Sequence, residues 1–319
     1  MSKSIMSKEN PLSQLLNQNN YVIIDGALAS ELQRRGCDLN DSLWSAKVLI
    51  EQPDLIRQVH YDYFNAGADC AITASYQATP LGFAQKGISL AESINLIKQS
   101  VALAQQAKQQ YLDQIKSDKL LVIAGSVGPY GAFLADGSEY TGNYQLSENE
   151  FIDFHQARMQ ALIEAKVDIL ACETLPNFVE IKALAKLLQH YPTMTAWFSL
   201  TLKDANHLSD GTPLVEVIDY LNQIDQVVSI GINCIALEKV SLALTELQTL
   251  TAKPLIVYPN SGEQYDPTTK LWHKDHQHNC SFDNQLPVWI KLGAKLIGGC
   301  CQTTPNDIAQ IAHYLKAAN

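Results

Sequence analysis

Eight short runs rich in β-branched and apolar residues, alternating with helical patterns, predict an α/β protein built as a single (β/α)8 TIM barrel. That alternation forces parallel strands joined by crossover helices, and eight such units take roughly 250 residues, with loops absorbing further length. The 319 residues present therefore suffice for one large domain. An open doubly wound sheet is the weaker alternative, because its Gly-x-Gly-x-x-Gly fingerprint is missing: Asp25, which ends the first strand, is followed by Gly-Ala-Leu-Ala.

Behind a polar N-terminal extension, residues 1–20, the barrel domain is expected to run over 21–319. Its first strand is read at 21–25, and a helix follows Pro53, where Leu55, Val59 and Tyr63 recur at four-residue steps. Strands two and three fall at 70–74 and 121–126. Ser147 with Glu150 three residues on is a capping box that opens the helix before strand four, at 169–173. Leu184, Leu187 and Leu188 then share one helical face, and strand five takes 195–199. Pro213 starts the next helix, strands six and seven take 228–233 and 255–258, and strand eight takes 296–299. Pro305 opens the last helix, whose buried face is Ile308, Ile311 and Leu315.

Two connections exceed the ordinary loop length, the long loops after strands 3 and 7 at 127–146 and 259–283. Both leave strand C-termini, the catalytic rim of such barrels, so they are expected to wall a substrate site.

A hydrophobic share of 46% with 18% charged residues provides a core and excludes a disordered chain. A formal net charge of −10 argues against nucleic acid and anionic lipid as partners and favours small molecules. No apolar run reaches the roughly 20 residues that span a bilayer, and the polar N-terminus lacks the apolar centre of a secretion signal, so a cytoplasmic location is expected. Seven cysteines, an odd number spread along the chain, make a poor disulfide framework.

At the expected strand ends stand Asp25, Thr73, Ser126, Glu173, Ser199, Asn233 with Cys234, Tyr258, and Cys300 with Cys301. Three thiolates can hold a zinc ion tetrahedrally and leave its fourth position open, as a catalytic site requires. Adjacent residues of a strand point to opposite faces, so Cys300 and Cys301 can share a metal only where the chain turns, and Gly298 and Gly299 are read as permitting that turn. Two other readings stay open: buried apolar cysteines, or a redox pair. Cys70 and Cys172 lie in apolar strand patterns and are read as core. His273, His276, His278 and Cys280 carry ligand chemistry on a loop without a rigid frame, which gives no preorganised site. Asp25 and Glu173 face a shared space in which either could bind an ammonium, although Asp25 could equally close an Asx turn with Gly26.

The set formed by Asp25-Gly-Ala, Thr73-Ala-Ser-Tyr-Gln-Ala-Thr79, Gly125-Ser-Val-Gly-Pro-Tyr-Gly131, Glu173-Thr-Leu-Pro176, Gly231-Ile-Asn-Cys234 and Gly298-Gly-Cys-Cys-Gln-Thr-Thr-Pro305 resembles the homocysteine S-methyltransferase family. Trp44-Ser-Ala-Lys47 and the segment from Gly128 to Tyr140 are most similar to its S-methylmethionine-dependent branch. The resemblance implies Zn2+ held by Cys234, Cys300 and Cys301, with Asp25, Thr73 and Glu173 reading the amino acid part of homocysteine. Ser126 and Asn233, which end strands three and six, are placed with them as substrate-binding residues.

The expected reaction is zinc-dependent transfer of a methyl group from a methyl sulfonium, S-methylmethionine or S-adenosylmethionine, to the homocysteine thiolate, forming methionine. A free thiol is mostly protonated near neutral pH, and a coordinating thiol is deprotonated. Tyr76, Tyr130, Tyr140 and Tyr258 are candidate aromatic faces for the sulfonium. The alternatives are a betaine-type donor on the same barrel, or a non-enzymatic or redox barrel with a structural thiolate site.

Overall fold

In a computed structural model that describes residues 10–266, 271–274 and 281–317, all eight expected strands form one parallel sheet. In chain order they are β1 (Val22–Ile23), β2 (Cys70–Ile72), β3 (Val122–Val127), β4 (Ile169–Leu175), β5 (Ala196–Leu200), β6 (Val227–Asn233), β7 (Leu255–Tyr258) and β8 (Ala294–Ile297). Each pairs with its neighbours in sequence, β1 also pairs with β8, and a parallel bridge between Ile24 and Cys70 closes the sheet. The predicted barrel is thereby realised.

Alternation along each strand separates two cores, because successive side chains point to opposite faces. Val22, Ile24, Cys70, Val122, Ala124, Ile169, Ala171, Trp197, Ile256 and Leu296 fill the barrel. Ile23, Ala71, Ile123, Leu170, Cys172, Phe198 and Val257 instead pack outward, against the helices. Cys70 and Cys172 are fully buried, one in each core, as their apolar contexts predict.

Helix Pro53–Ala66 starts at Pro53 and ends at Gly67, whose φ of 112° is a left-handed cap. Helix Glu148–Glu164 carries the expected Ser147/Glu150 capping box, and the last helix, Pro305–Ala317, buries Ile308, Ile311 and Leu315. Pro213 stands at the N-cap of helix Leu214–Asn222. Within the segment read as a polar extension, Pro11–Gln18 forms a helix whose Leu12 and Leu15 join the barrel interior.

Both long connections carry structure. After β3 come helix Tyr130–Leu134 and a 3-10 turn, Ser138–Tyr140; after β7 comes an antiparallel ribbon, Glu263–Asp266 with Leu271–Lys274. His276, His278 and Cys280 lie outside the described residues, and of His273 only its backbone pairing with Gln264 is described.

Candidate active site

The C-terminal strand ends open into one cavity of about 800 Å3, lined by Asp25, Thr73, Ser126, Glu173, Asn233, Cys234, Cys300 and Cys301 among others. Every residue assigned from sequence to hold the metal or homocysteine is thus at its wall. The thiol sulfurs of Cys234, Cys300 and Cys301 all lie within 4.8 Å of one another, with Cys234 to Cys301 at 3.5 Å. Zinc–sulfur bonds of about 2.3 Å in tetrahedral geometry put sulfurs about 3.8 Å apart, so the trio fits a tetrahedral thiolate site. Among the described residues no fourth His, Cys, Asp or Glu completes the group, and the remaining face opens to the cavity. The Cys300 and Cys301 thiols both hydrogen-bond to Cys234 and hold its thiol well below the ordinary range.

Backbone geometry brings the three together. Cys234 leaves β6 at φ 53°, its amide bonded to the Tyr258 carbonyl, and Cys300 N donates to Pro259 O. The turn after β8 differs from the sequence reading: positive φ falls on Gln302, at 64°, and not on Gly298 or Gly299. Those glycines answer a need for space. A Cβ on Gly298 would stand 2.6 Å from Ile24 Cβ, and one on Gly299 would stand 2.4 Å from Thr303 Oγ1. Thr303 Oγ1 in turn donates to Cys300 O and accepts from Ala27 N, locking the cysteine loop to the start of the β1 loop.

Two buried carboxyls share the cavity wall with the thiols. Asp25 Oδ2 accepts from Ile72 N at 2.9 Å across the strand junction, a long-range partner rather than the Gly26 of the Asx turn weighed from sequence, and burial raises its pKa well above the usual carboxylate range. Glu173 accepts from Ser126 Oγ, and burial pushes it up to about 7 against the opposing hydrogen bonds from Ser126 and Tyr258. Thr73 Oγ1 accepts from Ser126 N at 3.0 Å, holding β2 to β3 beneath this pair. Asn233 spends its whole amide on Thr174, accepting from the backbone N and donating to Oγ1, both at 2.8 Å. It thereby fixes Thr174 at φ 59° directly after Glu173.

Of the four tyrosines singled out, Tyr76, Tyr140 and Tyr258 line the cavity. Tyr130 does not: it packs on Phe133, Tyr144, Phe151 and Phe154 behind the wall. The Tyr140 hydroxyl lies 3.4 Å from Cys234 Sγ, and Tyr258 bonds Ser199 and the Trp197 indole inside the barrel.

Sequence reasoning did not single out Glu139, Gln77 or Arg158. Burial pushes Glu139 up to about 7. Arg158, fully buried, donates to Tyr76 O at 2.6 Å and Gly128 O at 2.5 Å, and so sets the height of the Tyr76 ring. An arginine among Phe151, Phe154 and Leu162 on the buried face of its helix was the available signal.

The family model for homocysteine S-methyltransferase matches residues 22–315. The chain belongs to the homocysteine S-methyltransferase family. It is 57% identical to the homocysteine S-methyltransferase of Escherichia coli (strain K12) over 306 residues, which cover 96% of this chain and 99% of that relative. It is 50% identical to homocysteine S-methyltransferase YbgG of Bacillus subtilis (strain 168), over 97% of this chain and 98% of that one. The crystal structure of the E. coli homocysteine methyltransferase MmuM in a metallated form superposes with a TM-score of 0.87 at 55% identity, covering 97% of this chain and 100% of that one. A selenocysteine Se-methyltransferase of Brassica oleracea var. italica is 43% identical over 94% of this chain. The chain is therefore a methyltransferase acting on homocysteine. Among its described residues no helix is long and apolar enough to cross a membrane.

Proposed function

We propose that this homocysteine S-methyltransferase uses zinc, held by Cys234, Cys300 and Cys301, and takes its methyl group from the sulfonium of S-methylmethionine. The observation that carries this reading is the convergence of three thiols from two strand ends on one face of an otherwise acidic cavity. Bound at those thiols, zinc would supply a Lewis acid that lowers the pKa of the homocysteine thiol.

The chain's own residues then hold the reactants. Asp25 and Glu173 offer carboxylate oxygens to the homocysteine ammonium, with Ser126 and Tyr258 fixing Glu173 and Thr73 fixing the floor below it. Asn233 keeps the Glu173–Thr174 turn in its left-handed form. Trp44 and Tyr76, whose rings meet edge to face at 6.2 Å, form an aromatic wall for the sulfonium. In the transfer, a bond forms from the homocysteine sulfur to the methyl carbon while the carbon–sulfur bond of the sulfonium breaks. The bonding pair stays on the donor sulfur, the thiol proton passes to solvent, and two thioethers leave. Because the sulfonium charge vanishes in the transition state, an aromatic face, which holds a cation weakly, suits it better than a fixed anion.

Elemental analysis before and after chelation, paired with a methionine assay on homocysteine and S-methylmethionine, tests this. About one zinc per chain is expected, with activity lost on chelation and restored by zinc. Cys234→Ala should lose metal and turnover while keeping the folded circular dichroism spectrum. A metal-free yet fully active Cys234→Ala protein would overturn the assignment.

A further inference from the structure

The donor carries a second positive charge, its α-ammonium, which survives the reaction unchanged. We propose that Glu139 and Gln77 form the subsite that receives this ammonium, and so select amino acid sulfoniums over sulfoniums without an amino group. The inference rests on the proposed sulfonium donor and adds to it the residues that read the donor's amino acid end.

Two acceptor atoms in the cavity wall have no partner among the described residues. One is Glu139 Oε2 and the other is Gln77 Oε1, and both are shielded from bulk solvent by the protein. Gln77 is only 9% exposed, and its Nε2 donates to Ala132 O at 2.5 Å, which fixes Oε1 as the free end. Glu139 is held against the same short helix: a Cβ on Gly131 would stand 2.5 Å from Glu139 N. The Gln77 side chain and the Glu139 backbone thus both meet the short Gly131–Ala132 segment of the loop after β3. Leaving a shielded acceptor unmade costs about 1–3 kcal/mol, more for a charged group, so such atoms are expected to meet a ligand.

The charge around them identifies that ligand. Among the described residues the cavity wall includes Asp25, Asp41, Asp136, Glu139 and Glu173 but no lysine, arginine or histidine. Asp25 and Glu173 are tied into the β1–β4 side, where they await homocysteine, whereas Glu139 shares its electrostatic neighbourhood with Tyr76 and Cys234. A carboxylate fixed on the sulfonium would oppose transfer, because that charge disappears in the transition state. On the ammonium it binds ground and transition states alike, so its loss falls mainly on KM.

The test uses the full-length zinc-loaded enzyme. Calorimetry gives Kd for S-methylmethionine, for dimethylsulfoniopropionate, which lacks the ammonium, and for homocysteine. Wild type is compared with the near-isosteric Glu139→Gln and with Glu139→Asp, and metal content is checked for each. Expected are at least a tenfold weaker Kd for S-methylmethionine in Glu139→Gln, partial recovery in Glu139→Asp, and unchanged homocysteine binding. In steady state the KM for S-methylmethionine should rise by a similar factor, with kcat falling far less. Removing the ammonium from the donor should cost the wild type at least the factor that Glu139→Gln costs. An S-methylmethionine Kd within twofold of wild type overturns the proposal, as does a loss confined to homocysteine. Equal weakening of both sulfoniums also overturns it, since Glu139 would then read the sulfonium. If wild type made no methionine from S-methylmethionine, the donor reading would fall, and the binding comparison would still decide the role of Glu139.

Discussion

Glu173 is buried beside Asp25, its hydrogen bonds to Ser126 and Tyr258 only partly offset that burial, and it is pushed up to about 7. Near neutral pH the empty site therefore holds a carboxyl that is only partly ionised, and an arriving ammonium favours the ionised form. The sign follows. Below pH 7 binding must first remove a proton, so homocysteine binding should tighten as pH rises from 6 to 8, by about tenfold for one proton at that value. Glu173→Gln should weaken homocysteine binding by about 10- to 100-fold, the loss of a buried charge-assisted bond, and flatten this pH dependence while retaining the metal. Homocysteine KM measured at pH 6, 7 and 8 for both proteins checks this. A parallel pH profile in the variant would remove Glu173 from ammonium binding. Both carboxyls and all three cysteines were legible in sequence because strand ends of a barrel face a common centre. Glu139 and Gln77 were not, since they matter through unpartnered oxygens that only three-dimensional packing defines.

At the scale of elements, the eight strands could be read because barrel strands are buried on both faces and write continuous apolar runs. The loop after β1 could not. It supplies helix Leu28–Arg34 and the turn Trp44–Lys47 to the cavity wall, and Trp44 sits there at φ 47°, a conformation that no residue pattern announces. Glycines show the same division. Gly231 in β6 has ordinary extended neighbours, yet a Cβ on it would stand 1.8 Å from Ile256 O of β7. The two backbones meet flush there, three residues before Cys234. Gly231→Ala must push β6 off β7, which should cost about 3 kcal/mol or more and displace the Cys234 thiol. A clear fall in the urea midpoint together with weaker metal retention is the expected result. An unchanged midpoint would show that the strands part without penalty.

For the whole molecule, the barrel depends on helices whose inner faces are almost entirely apolar, and the exceptions show where its stability responds to pH. His60 lies on the inner face of helix Pro53–Ala66 with Ile56, Val59, Tyr63 and Phe64, and is 1% exposed. Neither ring nitrogen has a partner among the described residues, and burial lowers its pKa to about 4. The imidazole is therefore neutral when folded but takes a proton in the unfolded chain below about pH 6.5. Because the folded value lies below the unfolded one, stability is intact above pH 6.5 and declines as pH falls toward 4. At pH 5 the loss from this one group is about 2 kcal/mol. Other carboxyls and histidines titrate over the same range, so the comparison must isolate the ring. His60→Leu fills similar space with an apolar side chain and binds no proton in either state. The stability difference between His60→Leu and wild type, from urea unfolding, should widen in favour of the variant by about 2 kcal/mol between pH 8 and pH 5. A difference that stays constant across that range would show that His60 is protonated, or finds a partner, within the folded barrel.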